Sequence, residues 1–335
     1  MRGLTKNIGA TDDVPKLKPG KTVEVKRILI SRPNNRLGNL LLITPLLQEL
    51  QETFPQAKVD LFVRGGLAPK LFKNYSNVDR IIQLPGKPFK HLPEYISRWV
   101  SLKTKRYDLV INVVKNSSSG RLSTQFVSSK LKIFGDLHDD TRQKFSDHVH
   151  VAKYPVYNLR RYLGLMGYPE KSTPVPALDL KLTDAEIAEG AAELKKLTGN
   201  DRKSICIFTF ATGHKCYPES WWMPFYEKLR NEFPDYNIVE ALPFENVSQI
   251  NFIAPSHYST NIRILGAFIK SCDIFIGADS GIMHLASAAH APTVGLFSVT
   301  DPVTFGPYSP KSTSINTNEG TPDDWIAIIK SIIQK

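Results

Sequence analysis

Three short stretches of this chain place charged or N–H-rich groups beside small residues that let a ligand approach the backbone. The first is Asp279–His284, reading DSGIMH. It follows the apolar run Ile274–Ile276 and precedes Ile282, Leu285, Ala286 and Ala289 at helical spacing, so it crosses from a buried strand into a helix. The first N–H groups of a helix lack intrahelical acceptors, and the helix start carries partial positive charge; both suit a phosphate or diphosphate. The same residues also make an ordinary helix cap at Asp279 or Ser280. The second stretch is Ala211–Pro218 (ATGHKCYP), with Lys215 between a strand and an aromatic helix. The third is the turn Pro243–Asn246, which carries Glu245. If all three lie at one sheet edge, they can hold a nucleoside diphosphate, with Lys215 on phosphate, a carboxylate on ribose and N–H groups at the helix start.

The amino-terminal half has a different character. Residues 1–173 hold 30 Lys and Arg against 14 Asp and Glu (+16), whereas residues 174–335 hold 13 against 18 (−5), which together give the net +11. A basic first half points to a polyanion: nucleic acid, anionic lipid or a phosphorylated glycan. Two loops carry this charge beyond strands. Arg32–Gly38 (RPNNRLG) contains Arg32 and Arg36, and Lys115–Gln125 (KNSSSGRLSTQ) is a polar, flexible loop with Lys115 and Arg121. These four cations are the candidates for holding an anion. No aromatic–basic module of a nucleic-acid binder is present. The first loop also lacks the GxGxxG fingerprint of a dinucleotide dehydrogenase. His138, His148 and His150 follow no ligand spacing, so no metal is expected. The cysteines, Cys206, Cys216 and Cys272, have no paired spacing, which fits a reducing compartment.

The elements that must position these residues alternate strand and helix in both halves, so the chain is α/β. The apolar runs predict strands near 26–31, 59–63, 78–84, 107–114 and 130–134, then 204–210, 237–242, 274–276 and 294–297. Helices are expected over 39–53, with Pro45 accommodated near its first turns, and over 91–105, 156–166, 183–197, 221–233, 261–270 and 322–333. Tyr95 and Trp99 are read as core or rim residues. The segment 298–310 is a proline-rich loop. Residues 1–25 form a polar tail broken by Pro15 and Pro19, not a signal peptide. No apolar run reaches the ~18 residues of a membrane span. Pro169, Pro174 and Pro176 mark a stiff linker over 169–178 between domains 26–168 and 179–335, with the last helix a candidate to pack back on the first domain.

The pairing of R-x-x-N-x-x-G-N-x-x-x-x-T-P at 32–45 with DSGIMHLASAAHAP at 279–292 resembles the ADP-heptose:lipopolysaccharide heptosyltransferases of glycosyltransferase family 9. GHKCYP at 213–218 resembles that family's K-x-W/Y-P segment, and TDPVTFGP at 300–307 its TxPxxxGP loop. The resemblance spans about residues 26–333. It implies a GT-B fold of two Rossmann-like domains facing a central cleft, with no cofactor. The donor, a nucleotide diphosphate sugar such as ADP-heptose, would bind the carboxyl-terminal domain. The acceptor, an anionic lipopolysaccharide-core-type glycolipid, would meet the basic domain, and transfer would invert the anomeric centre. Such an enzyme would be cytoplasmic and peripheral on the inner face of the inner membrane, with no nucleic-acid partner.

Carried onto this chain, the resemblance makes Lys215 the donor-phosphate lysine, with Thr212 in the same phosphate loop. It makes Glu245 the nucleoside contact and Asp279 the donor-side carboxylate. Ser280, Gly281, Met283 and His284 form the N–H-rich turn, although His284 also suits a core position. One residue departs from the pattern. The family carries Gly-Asp at the start of the first helix, and that aspartate is the proposed general base; here the pair is Gly38-Asn39. An asparagine accepts no proton. Asn39 and Asp279 are the catalytic candidates, and Asp136, Asp139 and Asp140 are other carboxylates of the same half. Asn39 can orient the acceptor hydroxyl, or it can only cap the helix. The alternative to a transferase is a non-catalytic homologue that binds a nucleotide sugar or glycan.

Overall fold

The computed structural model describes residues 24–334; of the expected polar tail, 1–25, only Glu24 and Val25 fall among them. The described chain forms two compact units divided between Pro176 and Ala177. Each is built on one parallel sheet.

In the first unit the strands are β1 (Arg27–Arg32), β2 (Lys58–Arg64), β3 (Val78–Leu84), β4 (Tyr107–Asn112) and β5 (Ser129–Ile133). Their order is β3-β2-β1-β4-β5, and every pairing is parallel. Central strands of such a sheet are covered on both faces, which is why β1 reads RILISR with Ile28, Leu29, Ile30 and Ser31 all buried. The second unit has β6 (Ser204–Phe208), β7 (Asn237–Ala241), β8 (Ser256–His257), β9 (Ile274–Ala278), β10 (Thr293–Phe297) and β11 (Thr313–Asn316). Their order is β11-β10-β9-β6-β7-β8, again all parallel. β6, β9 and β10 are buried along their whole lengths.

Both orders are those of a doubly wound sheet. The chain starts in the middle, winds outward on one side, returns and winds outward on the other. The reversal leaves a crevice at the carboxyl ends of the two central strands, where ligands of such sheets bind. In the first unit that switch point lies between β1 and β4; in the second it lies between β6 and β9.

Three local expectations change. The single helix over 39–53 is two helices, Leu37–Leu41 and Thr44–Thr53, with Pro45 in the first turn of the second. A proline has no N–H to donate and its ring clashes with a preceding helical turn, so the chain restarts where that N–H is not needed. The loop expected over Lys115–Gln125 is largely helical, Ser118–Phe126, started by Ser117, whose hydroxyl accepts the Gly120 N–H. Two short edge strands, β8 and β11, extend the second sheet beyond the apolar runs.

Other helices start as their sequences suggest. Thr183 and Glu186 form a reciprocal capping box before Asp184–Thr198, and Thr321 and Asp324 do the same before Pro322–Ile333. The terminal helix buries Trp325, Ile326, Ile329 and Ile332 in the core of the second unit, beside Trp222, Phe225 and Leu229 of the helix Glu219–Glu232.

Candidate functional site

The second unit brings three segments to the carboxyl ends of its two central strands. β9 ends at Ala278, so Asp279 is the first residue beyond the sheet, and its N–H bonds the Leu296 carbonyl of β10. That places the carboxylate at the sheet edge, almost wholly buried. Lys215 ends a short helical turn, Gly213–Lys215, beyond β6, and its Nζ lies 3.1 Å from Asp279 Oδ2. The two strands are neighbours in the sheet, so residues following each of them meet at the switch point. Thr300, in the segment after β10, donates its hydroxyl to the same carboxylate oxygen at 2.6 Å. Asp279 therefore aligns a lysine and a hydroxyl from two loops.

Ser280 starts the helix Gly281–Ala288 as its N-cap, with its hydroxyl accepting the Met283 N–H at 3.3 Å. The His284 N–H turns to the Ser280 carbonyl. Of the two caps left open by the sequence, Ser280 is the one used. The consequence for the N–H-rich turn is specific: Ser280 occupies the N–H groups of Met283 and His284, and those of Gly281 and Ile282 come before the first intrahelical bond. The side chains of Met283 and His284 are both buried. Met283 packs under β10, where a Cβ on Gly295 would come within 2.6 Å of its sulfur. Met283 is thus a core residue whose side chain lies away from the turn. Thr212 is exposed and begins the Gly213–Lys215 turn.

Glu245 lies in an exposed turn after β7, beside the exposed ring of Phe244, and among the described residues no ion pair holds it. The carboxylate at the end of β7 that the structure does bury is Glu240. It accepts the Thr209 hydroxyl at 2.6 Å and the Ser248 hydroxyl at 2.7 Å. Burial raises its pKa, and the two hydroxyls work in the opposite direction. Thr209 in turn accepts the Gln249 N–H, and Ser248 those of Ile250 and Phe252. This network ties the loop after β7 to the end of β6. Glu240 and Thr300 are the residues that reading the sequence missed. A lone acid inside the apolar run IVEAL was the available signal for the first, and the TDPVTFGP segment for the second.

The first unit gathers cations at its own switch point. Val113 N–H bonds the Ser31 carbonyl, so the chain leaves β1 and β4 side by side, with Arg32 and Lys115 just beyond. Lys115 is exposed. Arg32 is half-buried, and its Nε donates to the Asn39 carbonyl at 3.4 Å. Removal from water brings its pKa down to about 10, and no carboxylate pairs with it among the described residues. It stays charged at neutral pH and lacks the counter-charge a desolvated guanidinium requires.

Asn39 does not cap the helix Leu37–Leu41. It is the third residue of that helix; the N-cap is Arg36, whose N–H is accepted by Asn34 Oδ1. Asn39 Nδ2 donates to the same Asn34 oxygen at 3.0 Å. Arg36 is exposed. Arg121 differs from its expected place on a flexible loop. It is buried on the helix Ser118–Phe126, donating to Asp136 at 2.7 Å and to the Phe134 carbonyl at 3.3 Å. Its charge is committed to the interior, because a buried guanidinium without such partners would be costly. Asp139 and Asp140 are both exposed, with Asp140 accepting from Arg161 and Asp139 lying 4.0 Å from Arg142.

His138, His148 and His150 make separate contacts: His138 Nε2 with the Tyr162 hydroxyl, His148 Nδ1 with the Phe145 carbonyl and His150 Nδ1 with the Ala152 N–H. Among the described residues no three His, Cys, Asp or Glu side chains converge as a metal site would need.

The family model of glycosyltransferase family 9 (heptosyltransferase) matches residues 96–324. Lipooligosaccharide heptosyltransferase 2 of Haemophilus influenzae is 26% identical over 88% of this chain and 89% of its own. Lipopolysaccharide heptosyltransferase 3 of Escherichia coli is 21% identical over 81% of this chain and 84% of its own. Among solved structures, a family 9 glycosyltransferase from Veillonella parvula superposes with a TM-score of 0.70 at 17% identity, covering 93% of this chain and 99% of that one. The E. coli ADP-heptose lipopolysaccharide heptosyltransferase II gives 0.61 at 18% identity, covering 92% and 98%. The fold is GT-B-like, with two Rossmann-like domains.

Proposed function

Since this chain belongs to glycosyltransferase family 9, we propose that it moves a heptose, with inversion, from ADP-heptose to an anionic acceptor of the lipopolysaccharide-core type. The observation that carries the donor half of this reading is the Lys215–Asp279–Thr300 cluster at the β6/β9 switch point, next to the Ser280-capped helix start. In the transfer, an acceptor hydroxyl oxygen attacks the anomeric carbon from the face opposite the diphosphate. The bond from that carbon to the diphosphate breaks, and the pair of electrons leaves with the phosphate oxygen. Negative charge then grows on the diphosphate, where Lys215 and the N–H groups of Gly281 and Ile282 favour it; fixed donors aimed at developing charge lower a barrier without reorganising. Asp279 holds Lys215 in place meanwhile. The names of the related proteins, lipopolysaccharide and lipooligosaccharide heptosyltransferases, support the choice of sugar and acceptor.

On the acceptor side, Arg32, Arg36 and Lys115 receive the anionic groups of the glycolipid, and Arg121 serves by holding Asp136 and the helix beneath them. A carboxylate or phosphate supplies the counter-charge that desolvated Arg32 lacks. The protein would then work at the cytoplasmic surface of the inner membrane. Among the described residues no helix is long and apolar enough to cross a membrane.

The acceptor proton needs a base. Asn39 has no site for it, and its side chain is turned to Asn34. We assign Asn39 to orienting the hydroxyl and proton removal to a substrate phosphate or another carboxylate. Asn39→Ala should then lower kcat while leaving donor affinity unchanged, since the interaction matters chiefly in the transition state. Asn39→Asp should raise kcat and add an acidic limb to its pH profile, with Arg32 nearby keeping the new carboxylate ionised. Turnover of ADP-heptose with extracted core glycolipid, measured against pH for the wild type and both variants, tests the whole reading. A wild type that binds donor but forms no glycosylated product would favour the non-catalytic homologue to which Asn39 points. Equal turnover in all three proteins would remove position 39 from the mechanism.

A further inference from the structure

The helix Leu92–Ser101 in the first unit is apolar over far more of its surface than the unit covers. Successive helical residues advance by ~100°, so Leu102, Tyr95, Trp99, Leu92, Ile96 and Val100 form one stripe almost half the circumference wide. Leu102 is buried, and Tyr95 and Trp99 pack on a core cluster with Leu29, Phe62, Ile82 and Leu84. The other half of the stripe faces solvent: Leu92 is 50% exposed, Ile96 53% and Val100 57%, and Phe89 in the turn before the helix is 96% exposed. None of the ten residues of this helix is buried. The patch extends to the helix Ser118–Phe126. Phe126 meets the Trp99 ring edge-on at 6.0 Å, and Leu122, one turn earlier, is also exposed.

Its surroundings are cationic. Residues 86–106 hold six Lys and Arg against one Glu. Arg98 pairs with Glu94 and Lys105 with Asp79, but Lys87, Lys90 and Arg106 are exposed and have no carboxylate partner among the described residues. Lys103 lies over the Phe126 ring, 4.3 Å from its centre. A short amphipathic helix with aromatic and aliphatic side chains on one face and lysines at its rim is the form that lies in a bilayer interface: the apolar face enters below the headgroups while the cations meet anionic lipid. An interface that met protein instead would be depleted of lysine.

We propose that the stripe Phe89–Leu92–Ile96–Val100, with its rim of Lys87, Lys90, Lys103 and Arg106, docks the first unit on an anionic bilayer. These residues are separate from the Lys215–Asp279–Thr300 cluster and from Arg32, Arg36 and Lys115.

The test uses vesicles that contain no acceptor glycolipid, so its result is separate from turnover. Full-length wild type and an Ile96→Asp/Val100→Asp variant are sedimented with vesicles of phosphatidylglycerol and phosphatidylethanolamine, and with vesicles of phosphatidylcholine alone. Both positions are exposed, and matching thermal unfolding curves confirm that the variant folds. The wild type should partition onto the anionic vesicles and much less onto the neutral ones. The variant should partition at least roughly tenfold less, given the transfer free energy of two large aliphatic side chains. Lys87→Glu/Lys90→Glu should reduce binding and flatten its salt dependence. Equal sedimentation of wild type and the Asp variant would overturn the proposal. So would a wild type that ignores vesicles but dimerises with concentration while the variant stays monomeric, which would assign the stripe to a second copy of the chain.

Discussion

An Arg263→Ala protein should lose roughly 3–5 kcal/mol of stability in its second unit, the range for a buried ion pair that loses one partner. Arg263 is buried on the helix Ile262–Lys270 and grips Glu186 with two bonds, Nε to Oε1 at 2.6 Å and Nη2 to Oε2 at 2.7 Å. Its other donors satisfy the carbonyls of Leu180 at 2.9 Å and Lys181 at 2.8 Å. Lys181 has a φ of +49°, a conformation that a lysine adopts only when its surroundings enforce it. Glu186 meanwhile closes the capping box at Thr183. One guanidinium thus fixes the entry to the unit, a helix start and the packing of two helices. Those helices lie so close that a Cβ on Gly190 would come 2.3 Å from the Ala267 carbonyl carbon. Alanine at 263 would leave a buried carboxylate and two carbonyls without the guanidinium. Denaturant unfolding followed by tryptophan emission reads the effect, because Trp221, Trp222 and Trp325 cluster in this unit. A loss under about 1 kcal/mol, the scale of an exposed pair, would show that water replaces the guanidinium.

Lys215→Ala should weaken donor binding by about 1–3 kcal/mol, the range for a charge-assisted hydrogen bond to an ionised group. The effect should appear for ADP as for ADP-heptose, since the lysine is assigned to the diphosphate and not to the sugar. Before donor arrives, Lys215 faces Asp279. Its loss leaves that nearly buried carboxylate with the Thr300 hydroxyl, so a smaller loss of stability should accompany the loss of affinity. Lys215→Arg separates the two effects. It restores a positive charge to Asp279, but a planar fork does not reproduce the point charge of an ammonium, so stability should recover more than affinity does. Calorimetry giving unchanged donor affinity in folded Lys215→Ala would remove the lysine from the site.

Much of this arrangement is readable without coordinates because parallel strands are buried on both faces. IFIGA and TVGLF need no periodicity to be recognised; their unbroken apolar runs suffice, and DSG between strand and helix then marks a sheet edge. The family, too, was legible in R-x-x-N and DSGIMHL. What stayed hidden depends on partners that composition does not show. Ser118–Phe126 looks like a loop because Ser and Gly compete with helical bonding; Ser117 as a cap turns that composition into a helix. Arg121 looks like a surface cation until the sheet brings Asp136, after β5, against it. The resemblance and the turn after β7 point to Glu245; Glu240 stays hidden because an acid inside an apolar run shows no purpose until Thr209 and Ser248 are seen to make the strand position tenable. The exposed half of the 92–101 stripe was also out of reach. Hydrophobic spacing shows which residues share a face, but not how much of that face the sheet beneath can cover.

The claim on which the rest depends is that the β6/β9 edge of the second unit binds a nucleoside diphosphate sugar. Thermal unfolding of the wild-type protein across a panel of ADP-, UDP-, GDP- and CMP-linked sugars tests it directly, because a ligand that binds only the folded state stabilises it by mass action, by about 2.7 kcal/mol at a hundredfold excess over Kd. The predicted result is a concentration-dependent rise in Tm with ADP-heptose, a smaller rise with ADP, and both rises displaced to higher ligand concentration in Lys215→Ala. No shift with any nucleotide sugar, or an equal shift in wild type and Lys215→Ala, would contradict it.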